Sequence, residues 1–496
     1  MSARVSGRSR VLMVCGVLVG LLVALAACAT QEQVSAPTAE PDYHDPAPWG
    51  ERYPLEYSSW HATSEERPAG KSVYKRGFDG GVMYDKLSEY PFMPLLFKGW
   101  GFGIDYNEPR GHYYMLVDQS EVDPARVKTG GACLTCKSPY AEDLYEKDSK
   151  ALFDATYDEA VAMLPKERRF LGATCIDCHD PATTQLATRR WTVGAAMSEV
   201  GLDPEKLTLQ QQRLLVCGQC HCSYSVMKDG TTVLGVDLPW EGSTWGGITV
   251  ENIVDSLETQ EARIEWTQQV TGFKLGFIRH PDIEFFTSGS AHFVAGASCV
   301  DCHMPSRTVN HTEFRDHDVM SPLKSDMVAC MRCHDQSAAE LKAEVLRIQD
   351  RDAALLIDAG YRTATVAKLF EIANSRLATQ SADIKPSYDE AAAHYRQAFY
   401  RVVYMGAENS MGFHNPDEGV RMLRDATEQA EQAEKILRDL LTRNGVAVPD
   451  EVPLELREYT DDRGVRRLDF RREQYIPDPT GEAVKKWPRS LADLLE

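Results

Sequence analysis

Cysteine recurs in pairs, two residues apart, at five places in the chain, and the residue after each pair is basic. The pairs are Cys133-Leu-Thr-Cys136-Lys137, Cys175-Ile-Asp-Cys178-His179, Cys217-Gly-Gln-Cys220-His221, Cys299-Val-Asp-Cys302-His303 and Cys330-Met-Arg-Cys333-His334. Cys-x-x-Cys-His is the attachment signature of haem c: two thiols add to the haem vinyl groups, and the adjacent imidazole is held below the iron. Four such motifs imply four haems with a histidine ligand. The Lys137 variant implies a fifth whose iron is treated differently, and chemistry is expected there. Zinc also takes paired cysteines, but a zinc reading leaves four regularly placed histidines without a role. A disulfide across two residues occurs mainly as a redox-active motif, and five in one chain do not suit a structural one.

Low-spin electron-transfer haems usually take a second axial ligand, so four further histidines are required. Outside the motifs stand His44, His61, His112, His280, His292, His311, His317, His394 and His414. His112 follows Gly111 upstream of the first motif, and His292 lies seven residues before Cys299. His317 lies between the last two motifs, and His414 directly precedes Asn415-Pro416. Spacing alone does not select among the nine.

The elements that must position these residues read as mainly helical, with few short strands and long C-terminal helices. Val250, Ile253, Val254 and Leu257 follow helical spacing, as do stretches near Leu202–Val216 and Ala338–Ala378. Ser387-x-x-Glu390 predicts a capping box opening a helix that carries Tyr388, Tyr395, Phe399 and Val402. Asn415-Pro416 opens another, closed by Asn444-Gly445. In it Leu423, Ala430 and Leu437 alternate with Ala426, Ala433 and Leu440 at heptad spacing, which suits either a dimer seam or the chain's own core.

Arg4, Arg8 and Arg10 precede an apolar run from Val11 to Ala27, which reads as a secretory signal. It ends Leu25-Ala26-Ala27-Cys28, similar to a bacterial lipoprotein box with Cys28 as the acylated residue. The body is therefore expected outside the cytoplasm, periplasm-facing or in the cell envelope, on a lipid anchor. The organisation expected is a signal over 1–27, a flexible tether over 28–48 and a haem-filled body over 49–345. Long helices follow over 346–445, then a packed tail over 446–496. A net charge of −20 excludes nucleic acid as a partner. A small anion remains an acceptable substrate where the pocket is locally basic.

One Cys-x-x-Cys-Lys motif followed by four Cys-x-x-Cys-His motifs, in this order and at these intervals, resembles the ammonia-forming pentahaem cytochrome c nitrite reductases. The resemblance covers nearly all the mature chain. It implies five covalent haems c and distal iron ligands His317 for haem 2, His112 for haem 3, His414 for haem 4 and His292 for haem 5. Haem 1, on Lys137, has no distal protein ligand in that family, and its open side takes nitrite. By the same resemblance Arg126, Tyr224 and His280 are the catalytic residues. It further implies a homodimer fed by a membrane-bound multihaem quinol dehydrogenase. Related multihaem reductases act on hydroxylamine or sulfite, and a pure electron carrier is the reading from another class. A carrier has no reason to deny one haem its histidine.

The chain departs from that family at one place. Many members bind calcium beside haem 1 through a glutamate two residues after the haem 3 histidine and a glutamine just before the catalytic histidine. Here those positions are Ser223 and Arg279. Calcium needs several oxygen ligands, usually including carboxylates. The expectation is a calcium-independent protein in which the Arg279 guanidinium takes the place of the ion.

Overall fold

Short polar caps decide where the helices begin. The computed structural model describes residues 41–65, 84–108 and 111–461. Helix α1 (Leu209–Gly218) starts at a capping box in which Thr208 accepts from the Gln211 N–H and Gln211 accepts from that of Thr208. The helical spacing near Leu202 does not extend it backwards, because Asp203-Pro204 opens a separate 3₁₀ turn (Pro204–Lys206). Helix α2 (Val250–Thr259) is capped the same way by Thr249 and Asn252. It buries Val250, Ile253, Val254 and Leu257, the face its sequence pattern predicts.

Three long helices follow the last cysteine motif. They are α3 (Ala338–Arg376), α4 (Lys385–Ala407) and α5 (Pro416–Arg443). Ser337 and Glu340 form the box that opens α3, so the helical region begins before residue 346. Helix α4 does not open at Ser387. Ile384 is its cap residue and Pro386 sits in its first turn, where the missing N–H costs nothing, so Ser387 and Glu390 already lie inside the helix. Helix α5 carries Pro416 at its first turn and ends at Asn444, with Gly445 at φ 74°.

The heptad positions of α5 are spent within the chain. Leu423, Ala426, Ala430, Ala433, Leu437 and Leu440 are all buried, packed on α3 and α4. Alanines on α4 (Ala391, Ala392, Ala398) and α3 (Ala359, Ala364, Ala367) are buried too, so small side chains let the three axes approach. This stripe is therefore a core seam and not a free dimer surface.

Strands occur, among the described residues, as two-stranded antiparallel ribbons. The longest pairs β1 (Ser225–Asp229) with β2 (Thr232–Asp237), directly after Tyr224. An aromatic core joins the segment before the first motif to α4, through edge-on contacts of Phe97 with Phe277 and Phe399 and a tilted contact of Phe102 with Phe277. Contacts divide the chain between Asp42 and Tyr43, and all five motifs lie in Tyr43–Glu496. Residues 43–48, expected in the tether, pack on the body: His44 stacks on Tyr140 at 4.2 Å, and Asp45 pairs with Arg168. In the tail expected over 446–496, Val452 and Leu454 are buried. The signal segment, Cys28 and residues 462–496 lie outside the described residues. No described helix is long and apolar enough to cross a membrane.

Candidate functional site

Each cysteine motif is wound into a single helical turn, and the turn explains the spacing. His179, His221 and His334 each donate a backbone N–H to the carbonyl of the first cysteine of their motif, at 2.9 to 3.0 Å. Cys299–His303 is one short helix. Residues i, i+3 and i+4 of such a turn share a face, so both thiols and the imidazole face one way. The first motif differs: Lys137 N–H reaches Leu134 O at 2.9 Å, one residue short of Cys133. None of the described cysteines forms a disulfide.

The histidine pairs test whether haem fits. With metal–nitrogen bonds of about 2 Å and roughly 1.1 Å from nitrogen to ring centre, one iron sets two imidazole centres roughly 6 Å apart. His179 and His317 are 6.1 Å apart, His303 and His414 6.2 Å, and His334 and His292 6.1 Å. Each pairs a motif histidine with the distal histidine expected for it. Their Nδ1 atoms are turned to protein acceptors: Thr184 O for His179 (2.9 Å), Met320 O for His303 (3.1 Å) and Arg315 O for His317 (2.8 Å). That leaves Nε2 for iron. The residues present fit the group.

His221 has two imidazole neighbours. His112 is close enough for the charges to interact, and burial with that repulsion lowers its pKa to about 4. The His280 ring centre lies 6.4 Å from that of His221.

The motifs touch in a branched order. Cys136 Sγ lies 3.7 Å from Gln219 O and Cys220 Sγ 4.0 Å from Cys136 O, which sets the first and third motifs side by side. Gln219 Nε2 donates to Asp177 O at 2.7 Å, joining the second to the third. Helix α1, which carries Cys217, packs on the short helix Cys299–His303, joining the third motif to the fourth, and the His292 ring lies 6.1 Å from that of Phe413, next to His414. Gly218 permits the close approach at the third motif: a Cβ there would meet Ile283 Cδ1 at 2.1 Å.

Around the lysine motif, Arg126 and Tyr224 converge on Cys133. The Arg126 guanidinium lies 3.4 Å from the Phe102 ring centre, and burial lowers its pKa from the usual arginine value. Asp123 accepts from Ala125 N–H at 2.9 Å and Asp105 from Asp123 N–H at 2.7 Å, fixing the turn that carries Arg126. A Cβ on Gly101 would strike Ala125 O at 2.2 Å, so only glycine lets that turn close. Burial raises the Tyr224 phenol, with the Arg279 and Arg126 guanidinium groups as its charged neighbours, so Tyr224 remains an O–H donor at neutral pH.

Arg279 is buried and bidentate to Glu265, whose side chain is fully covered. Its guanidinium also donates to Tyr224 O (3.2 Å) and Phe277 O (3.3 Å) and lies 4.9 Å from the Tyr224 ring centre. His280 follows at φ 45°, a left-handed conformation uncommon for residues other than glycine. Ser223 donates its N–H to Glu284 at 2.8 Å and takes no part in the Arg279 cluster. Sequence spacing signals neither Glu265 nor the carboxylates Asp282 and Glu408, which stand 3.0 Å from His221 Nδ1 and 2.9 Å from His414 Nδ1.

The family model described as cytochrome c552 matches residues 45–490. Curated proteins named cytochrome c-552 are similar. One from Maridesulfovibrio salexigens is 30% identical over 81% of this chain and 78% of its own length. One from Aliarcobacter butzleri is 30% identical over 79% and 76%. A solved structure of the cytochrome c nitrite reductase from Desulfovibrio desulfuricans ATCC 27774, described with two calcium sites in its catalytic subunit, superposes with a TM-score of 0.74. It is 23% identical and covers 91% of this chain and 95% of its own, a shared fold.

Proposed function

The chain belongs to the cytochrome c552 family, whose haem is covalently attached, and on that premise we propose that it reduces nitrite to ammonium. The observation that carries the proposal is the contrast between the motifs. Three motif histidines have a second imidazole at one-iron spacing, while the lysine motif has Arg126 and Tyr224 as neighbours of Cys133 instead. When bound, the haem of the Lys137 motif would supply an iron for nitrite, and the other four would supply electrons. Six are needed to take nitrogen from nitrite to ammonium.

The protein's own groups serve the anion and its protons. Arg126, cationic even with a lowered pKa, offsets the negative charge of nitrite. Tyr224 donates a hydrogen bond from a phenol that stays protonated. We assign His112 and His221 together as the pair that would hold the third haem, and His280 to the substrate side. His280 directly follows Arg279, whose guanidinium lies on Tyr224, and this supports grouping it with the tyrosine. There it delivers protons to departing oxygen. The contacts between motifs support a relay that enters along motifs five and four or through motif two, and reaches the lysine haem from motif three.

We further propose that no calcium is required at this place. Glu265 and the carbonyls of Tyr224 and Phe277 form an oxygen set that would suit a cation, and the Arg279 guanidinium occupies it. Dimerisation, the lipid anchor on Cys28 and a membrane quinol dehydrogenase as donor stand as parts of the same proposal. Steady-state turnover with reduced viologen, with ammonium quantified, tests the function. Nitrite is expected to be reduced fully to ammonium. Absence of ammonium, or turnover of hydroxylamine or sulfite alone, would refute it.

A further inference from the structure

The histidines assigned to iron differ in which oxygen stands beside the second ring nitrogen. His179, His303 and His317 face backbone carbonyls. His221 and His414 face carboxylates: Asp282 Oδ2 at 3.0 Å and Glu408 Oε1 at 2.9 Å from the respective Nδ1 atoms. Both carboxylates are buried, with exposures of 7% and 1%. Asn409 donates to Asp282 from its backbone N–H (2.8 Å) and its Nδ2 (2.6 Å). Ser410 and Gly412 donate backbone N–H groups to Glu408 at 2.7 and 3.1 Å. Glu408 and Asn409 are consecutive, so one short segment after α4 sets both carboxylates.

Asp282, Glu408 and His414 bring ligand atoms within 4.8 Å of one another, close enough to enclose a metal ion. The donors argue otherwise. Each carboxylate already takes two N–H groups besides the imidazole beside it, and an added cation would face those hydrogens.

We propose that Asp282 and Glu408 are positioning residues that hold down the reduction potentials of the two haems ligated through His221 and His414, relative to haems whose histidines face carbonyls. The inference rests on the haem assignment above. An imidazole N–H held by a carboxylate is a stronger base toward iron, and a buried negative charge favours the more positive oxidation state. The two haems are neighbours, since helix α1, which carries Cys217, packs on the short helix Cys299–His303. Electrons crossing this pair therefore leave it at low potential, next to the lysine motif.

The test is a redox titration of the five-haem protein followed by EPR and optical spectra, with Asp282→Asn and Glu408→Gln beside the parent. Haem content is first fixed by the pyridine haemochrome assay. Each variant should raise one low-spin midpoint by at least about 59 mV, a tenfold change in a one-electron equilibrium, and leave the others in place. Asp282→Glu and Glu408→Asp, which keep a carboxylate, should stay near the parent. In the parent alone, near-infrared magnetic circular dichroism should show imidazolate character at two of the four low-spin haems. Five-haem variants with unmoved midpoints, a uniform shift of all haems, or four identical neutral-imidazole signals would each overturn the inference. A parent lacking five haems would instead overturn the assignment beneath it.

Discussion

The Arg279 guanidinium and the Glu265 carboxylate form a buried bidentate pair, with one oxygen at 2.7 Å, and the guanidinium lies 4.9 Å from the Tyr224 ring centre. A buried pair is costly to break from one side, because the remaining charge has neither water nor a partner. Glu265→Gln should therefore cost about 3–5 kcal/mol of stability and depress turnover. Arg279→Gln should also impair the enzyme, since Tyr224 O and Phe277 O lose their donor. Chelation of the parent should leave nitrite turnover unchanged, and added calcium should not raise it. Activity that collapses in chelator and returns with calcium would show that the guanidinium does not replace an ion.

Lys137→His tests the first motif. The thiols of Cys133 and Cys136 are untouched, so five haems should still be counted. Nitrite turnover should fall roughly tenfold, about 1.4 kcal/mol in the barrier, while the low-spin spectra stay as in the parent. A variant as fast as the parent would make the lysine irrelevant to catalysis.

The five motifs were legible because covalent attachment demands contiguous residues, and a single turn of chain carries all three groups. The helical face of Val250, Ile253, Val254 and Leu257 and the helix start at Pro416 were legible for the same local reason. Long-range partners were not. Glu265 reaches Arg279 across 14 positions, and Asp282 reaches His221 across 61, so nothing in local spacing marks them. The α5 stripe was legible as a seam, but its partner was not, because alanine and leucine at heptad positions pack equally on a second copy or on α3 and α4. Ser387-x-x-Glu390 misled because Pro386 is tolerated in the first turn of a helix that starts earlier.

His112 and His280 both neighbour His221, and their roles separate by spectroscopy. His112→Ala should convert one low-spin haem to high-spin, because an iron loses its sixth ligand. His280→Ala should leave the number of low-spin haems unchanged and lower kcat roughly a hundredfold with little change in KM, as should Tyr224→Phe. A low-spin haem lost in the His280 variant and kept in the His112 variant would exchange the two assignments.

Glu284 offers a test through pH. Its side chain is fully buried, accepts from Trp240 Nε1 and Ser223 N–H at 2.8 Å each, and burial raises its pKa from 4.5 to about 8. Between those values the folded protein holds a proton that the unfolded chain has lost. Its contribution is fully present below the unfolded value and is lost as pH rises through the folded one. Stability should thus decline by up to about 1.4 kcal/mol per pH unit across that window from this group alone. Glu284→Gln keeps an oxygen for both donors and cannot ionise. Melting temperatures measured from about pH 5 to pH 8 should fall less steeply for this variant than for the parent. Parallel slopes would mean that Glu284 is ionised in the fold, with its charge carried by the Trp240 and Ser223 donors.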